Sequence, residues 1–153
     1  MPDTGYSLFD KTVQKTNRIL KYIEQAYGWP RERRNQSYAA LRAVLHAVRD
    51  RLVVQESAHL AAQLPMLVRG VYFHSWDPSK VPVKMHREEF LQRIALEFPF
   101  DAPGGMERLV ETVVQALKLY STEGEWEIIK ANLPKDLAPL IPTGPEQASQ
   151  PVP

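Results

Sequence analysis

Four side chains in the first half of the chain have the types and spacing to hold a divalent metal. Glu56 and His59 form a Glu-x-x-His pair, three residues apart and so on one face of a helix, and His46 and Asp50 form a second pair one stretch earlier. Carboxylate-bridged metal bundles take this pairing from two helices. Here it occurs once, because an internal alignment described below puts Ile128 opposite His59. A metal-binding helical protein built on His46, Asp50, Glu56 and His59 is therefore an alternative, and the main expectation is no cofactor. The chain has no cysteine, which excludes disulfides, thiol catalysis and thiolate metal sites. It also lacks a glycine-rich phosphate loop, a Gly-x-Ser-x-Gly and a His-Glu-x-x-His, so no catalytic residue is assigned. Gly104-Gly105 precedes a helix, but Asp101 and Glu107 beside it oppose an anion.

Two further groups suit binding rather than catalysis. Arg31, Arg33 and Arg34 cluster near Lys11, Lys15, Arg18 and Lys21, a set able to neutralise phosphates without reading sequence. No recognition helix or stacking motif accompanies them, which leaves nucleic-acid binding as a second alternative. Arg69, Tyr72, Phe73 and Trp76 combine arginine with aromatics where a helix runs into a proline-rich connector, and such residues are over-represented at protein interfaces. They are the candidate surface for a protein partner or a second copy. The competing account of Tyr72 and Trp76 is that they close the core beneath the connector.

The elements that must position these residues follow from apolar periodicity. Phe9, Val13, Leu20, Ile23 and Tyr27 mark a first helix with Gly28 as its left-handed cap. Arg31 to Gln36 is expected as a loop, with Asn35 or Ser37 as the next N-cap. Tyr38, Leu41, Leu45, Val48 and Leu52 recur at steps of three and four and predict the central helix, flanked by Ala39, Ala40, Ala43 and Ala47, which permit close approach. Leu60, Leu64, Leu67, Val68 and Val71 make a third stripe that Pro65 interrupts. Beyond the connector Asp77 to Pro82, Phe90, Ile94 and Phe98 mark another helix, then Met106, Val110, Val113, Val114 and Leu117 the next. Thr122 with Glu125 fits a capping box that opens a last long helix through Trp126, Ile129, Leu133, Leu137 and Leu140.

Placing Leu64-Pro65 on Leu133-Pro134 gives an offset of 69 that also pairs Leu41 with Val110, Leu45 with Val114, Val48 with Leu117, Glu56 with Glu125 and Leu60 with Ile129. The expected architecture is an all-α, pseudo-two-fold helical bundle of about six helices from a tandem helical repeat. One helical domain should span residues 1–141, with half-repeats at about 5–76 and 86–141, followed by a disordered Pro-rich tail over 142–153.

With 153 residues the chain can bury a sizeable core without a metal or disulfide. No apolar run approaches the length of a membrane span, and the N-terminal residues lack a signal-peptide layout, so no membrane association and a cytoplasmic location are expected. The net charge of +1 conceals a basic front and an acidic back: 10 Lys/Arg against 3 Asp/Glu from Lys11 to Arg51, and 6 against 10 from Arg87 to Asp136. Opposite halves can attract each other within one fold or between copies.

The segments GWPRERRNQSYAALRAVLHAVRDRL, ESAHLAAQLPMLVRGVYFHSWDPS and EGEWEIIKANLPKDLAPL resemble the bacterial family catalogued as domain of unknown function 2267, over about residues 5–142. The resemblance implies a small, soluble, tandem helical protein with no assigned activity and no catalytic motif to carry over. The chain departs from the family pattern at Val53, where a proline usually starts the third helix. Taken together, these readings point to a non-catalytic interaction or scaffold module, with self-association as one form of it.

Overall fold

Seven α-helices and no strand occur among residues 4–144, which the computed structural model describes. They are α1 (Ser7–Tyr27), α2 (Arg34–Arg51), α3 (Val54–Gln63), α4 (Met66–Phe73), α5 (Arg87–Glu97), α6 (Gly105–Leu117) and α7 (Glu123–Ala131). The all-α expectation holds. The seventh helix arises where Pro65 divides the third stripe into α3 and α4, as a residue without a backbone donor should.

Helix α2 is the axis of the bundle and packs against α1, α4, α5 and α6. Apart from Arg42 and His46 its middle is apolar or small: Ala40, Leu41, Ala43, Val44, Leu45, Ala47 and Val48 are all buried. A helix buried all round needs neighbours on all sides, and the three alanines let them come close. Tyr38, expected on the same stripe, is instead 42% exposed and borders an open groove with Arg42 and Leu67, while Ser37 beside it is buried. Phe9 of the first stripe is also half-exposed, whereas Ile19, Leu20 and Ile23 are buried, so α1 reaches the core only through its second half.

Local ends explain most boundaries. Gly28 caps α1 at φ 72°, and its left-handed geometry lets Trp29 N–H return to the Glu24 carbonyl at 2.9 Å. The stretch expected as a loop after Pro30 is a 3-10 turn (Arg31–Arg33) that runs straight into α2. Neither Asn35 nor Ser37 serves as its cap: Ser37 is inside the helix and donates to Glu24 at 2.6 Å. Val53 sits at φ −68°, close to the value a proline ring imposes, so α3 starts at the next residue without one.

The second half departs from expectation near its end. The last helix stops at Ala131, and Leu137 and Leu140 reach the core from a turn and the 3-10 segment Ala138–Leu140. Pro134 and Pro139 account for this, since neither can continue a helical ladder. Burial matches across the offset for Leu41 and Val110, Leu45 and Val114, and Leu60 and Ile129. The segments after Pro65 and Pro134 differ, one a helix and the other a turn.

The tail expected to be free from residue 142 is held as far as 144. Lys118 Nζ donates to the Pro142 carbonyl at 2.7 Å, and Gly144 N–H donates to Glu123 at 2.7 Å. The remainder of the expected tail, 145–153, lies outside the described residues. Within them, no helix is long and apolar enough to cross a membrane.

Candidate interaction surface

The aromatic group at the end of α4 divides into an inner and an outer part. Tyr72 is fully buried, its hydroxyl 2.9 Å from Ser57 Oγ on α3, and burial drives its phenol well above the usual range. It has no surface to offer a partner, which corrects its assignment to a partner-binding site: the alternation of helix faces turns it toward α3 instead. Phe73 and Trp76 are half-buried and tilted against each other with ring centroids 4.8 Å apart. Arg69 is exposed, but its guanidinium donates to the Ala61 and Leu64 carbonyls at 2.9 and 3.0 Å. It therefore satisfies the C-terminal end of α3, where Pro65 prevents the helix from continuing.

The basic cluster is likewise divided. Arg34 makes a two-pronged bond to Glu24, at 2.9 and 3.0 Å, and a third to Asn17 at 3.1 Å. Burial raises the Glu24 carboxyl, but the bonds from Arg34 and Ser37 outweigh it and hold it below the ordinary value. Arg34 thus fastens α2 to α1, while Arg31 and Arg33 stay exposed on the 3-10 turn. Lys15 lies over the Tyr120 ring at 5.6 Å and Arg18 donates to its hydroxyl at 3.1 Å, so part of the basic front is used within the fold.

The four metal candidates fall into two places. His46 is buried on α2 with Nε2 2.8 Å from the Val71 carbonyl and Nδ1 3.2 Å from Glu97 Oε1. Burial depresses its pKa, and Arg49 and Arg42 add to the effect against the Val71 carbonyl and Glu97. Asp50 accepts from Arg49 at 2.8 Å and from Arg93. Burial would raise its carboxyl, but these two guanidiniums hold it below the ordinary range. Glu97 closes the group by accepting from Arg42 at 2.9 Å and Arg93 at 2.7 Å. Glu56 and His59 stand apart from this network on α3, where Glu125 of α7 is the acidic neighbour. The described residues hold no group of three or more His, Asp or Glu placed to share a metal ion.

Periodicity alone missed the surface that α1 and α4 form together. Leu67 N–H donates to Thr12 Oγ1 at 2.8 Å, which seats the first turn of α4 on α1. Around this contact stand Tyr6, Leu8, Phe9, Met66 and Leu67, all between 42% and 55% exposed. Tyr6 and Phe9 meet edge to face at 5.1 Å, and Leu67 continues toward Tyr38 in a shallow groove of about 290 Å³ that Arg42 and His74 border. Exposed apolar side chains that share one face mark a candidate interaction site. The one sign in the sequence was that Phe9 opens its stripe; Leu67 gave none, since it sits in the middle of its own, between Leu64 and Val71.

A family model described as an uncharacterized conserved protein, DUF2267, matches residues 16–140. No curated protein matches the chain.

Proposed function

The chain belongs to the DUF2267 family, and on that premise we propose that it is a non-catalytic helical interaction module that receives a protein partner, in the first instance a second copy, at the joint of α1 and α4. The observation that carries this reading is the exposed apolar set Tyr6, Leu8, Phe9, Met66 and Leu67 gathered around the Thr12–Leu67 hydrogen bond. Lys11 is exposed on the same end of α1, so an apolar partner face with an acidic edge fits best. The acidic second half of another copy offers that charge. Action in the cytoplasm is part of the proposal; among the described residues no helix is long and apolar enough to cross a membrane.

The alternatives draw less support. Holding a metal through His46 and Asp50 would require breaking bonds to Val71, Glu97, Arg49 and Arg93. Nucleic-acid binding through Arg31, Arg33 and Arg34 would proceed without Arg34, which Glu24 holds.

Size-exclusion chromatography with light scattering tests the proposal. The expected mass is a multiple of 17.5 kDa, returning to the monomer in Phe9→Glu and Leu67→Glu with the melting temperature little changed. A wild-type chain that runs as a monomer at high micromolar concentration overturns self-association.

A further inference from the structure

Two hydrogen bonds bring three distant pieces of the chain to one place. Val83 N–H donates to the Asp50 carbonyl at 2.7 Å and lays the segment after the connector against the last turn of α2. Arg87 N–H donates to Asp136 Oδ2 at 3.0 Å and draws the turn after α7 to the start of α5. Beside these bonds lies an open cleft of about 630 Å³, lined by Arg51 from α2, Lys84 from the segment after the connector and Lys135 from the turn.

The charge in this cleft does not balance. Among the described residues Arg51, Lys84 and Lys135 have neither an ion pair nor a side-chain hydrogen bond. The two acids in the wall are engaged elsewhere. Glu89 Oε1 accepts the His86 N–H at 2.8 Å in the cap of α5, and Asp136, which holds the Arg87 N–H, lies 3.5 Å from His86 Nδ1. Counted with histidine neutral, Arg51, Lys84 and Lys135 against Glu89 and Asp136 leave one positive charge in excess.

Arg51 is the member that most needs a counter-charge. Lys84 and Lys135 are exposed, and water solvates them at little cost. Arg51 is half-buried, and its Nε meets neither solvent nor an acceptor. A guanidinium that has given up water on one side without gaining an acceptor there is poorly compensated, and an anion at its terminal nitrogens offsets that loss. The planar fork matches a carboxylate, which takes two parallel N–H bonds from it.

The rest of the wall describes the rest of the ligand. Met85 and Pro134, both half-buried, give the cleft an apolar side next to its cations. A single surplus charge calls for a monoanion rather than a phosphate dianion. We infer that this cleft binds a small organic carboxylate, with the carboxylate held by Arg51, Lys84 and Lys135 and an apolar body resting on Met85 and Pro134. The cleft shares no residue with the α1–α4 surface, so its ligand and the proposed protein partner are tested separately.

Titration of the full chain with sodium benzoate at constant ionic strength, read by nitrogen-15 NMR of the Arg51 Nε–H, tests the site. Benzoate should shift that signal saturably and raise the melting temperature, whereas benzamide, the neutral analogue of the same shape, should do neither. A double variant, Lys84→Gln with Lys135→Gln, changes only exposed side chains, so it should melt as wild type does and bind benzoate about tenfold more weakly. An Arg51 signal that stays in place, one that moves equally with sodium chloride or benzamide, or an unchanged affinity in the double variant overturns the inference, whether or not Arg51→Gln folds. Acetate bound as tightly as benzoate removes the apolar body, and inorganic phosphate bound more tightly than either removes the carboxylate; both results overturn it equally.

Discussion

His46 Nδ1 lies 3.2 Å from Glu97 Oε1, across the seam between α2 and α5. The other ring nitrogen faces the Val71 carbonyl at 2.8 Å, so the imidazole has an oxygen at both ends. In the neutral form Nε2–H donates to Val71, and the Nδ1 lone pair faces a carboxylate that Arg42 and Arg93 already hold. The seam is thus organised by two arginines rather than by the histidine, and it ties the basic first half of the chain to the acidic second half within one molecule.

Removing the acceptor should show this directly. Glu97→Ala leaves Arg42 without its ion pair and Arg93 with Asp50 alone. We expect a loss of about 2 kcal/mol or more, in the range for hydrogen bonds to charged groups, measured by urea unfolding. Arg42→Ala, at a side chain 36% exposed, should cost about 1 kcal/mol or less.

Acid should weaken the fold at His46. Its folded-state pKa lies below the ordinary 6.5, so the unfolded chain takes up the proton first. Between the depressed value and 6.5 the unfolded state binds more protons, and this residue's contribution therefore falls as pH is lowered through that window. Histidine NMR should find the His46 ring neutral at pH 6.5, and His46→Gln should remove this component of the acid dependence. A His46 midpoint above 6.5 would refute the assignment.

Core position and surface position should separate cleanly by truncation. Leu45 on α2 is 1% exposed and Leu96 on α5 is 82% exposed. Leu45→Ala should destabilise by about 2–5 kcal/mol, whereas Leu96→Ala should stay within about 0.5 kcal/mol. Urea melts of both variants check the pair, and a near-zero effect at Leu45 would remove α2 from the centre of the bundle.

Much of this fold was legible in the order of residues because its causes are local. The steps of three and four from Leu41 to Leu52 define a helix face whatever surrounds it, Gly28 ends α1 by its own conformational freedom, and Pro65 splits α3 from α4 by lacking a donor. The end of the second half was misread because Leu133, Leu137 and Leu140 keep a helical spacing while Pro134 and Pro139 deny it hydrogen bonds.

The candidate site was less legible, since side-chain partners come from distant parts of the chain. Arg34 has no acidic partner close by on its own helix and is paired by Glu24, ten residues away on α1, while Asp50, a metal ligand by type, is held by Arg93 from α5. Residue order determined most of the helical segments and the breaks at Gly28 and Pro65, because backbone hydrogen bonds and apolar spacing act within a few residues. Tertiary packing alone decided that Tyr72 is buried, that Phe9 and Leu67 stay exposed, and that Glu125 is denied a donor, because burial and charge pairing depend on which helices meet.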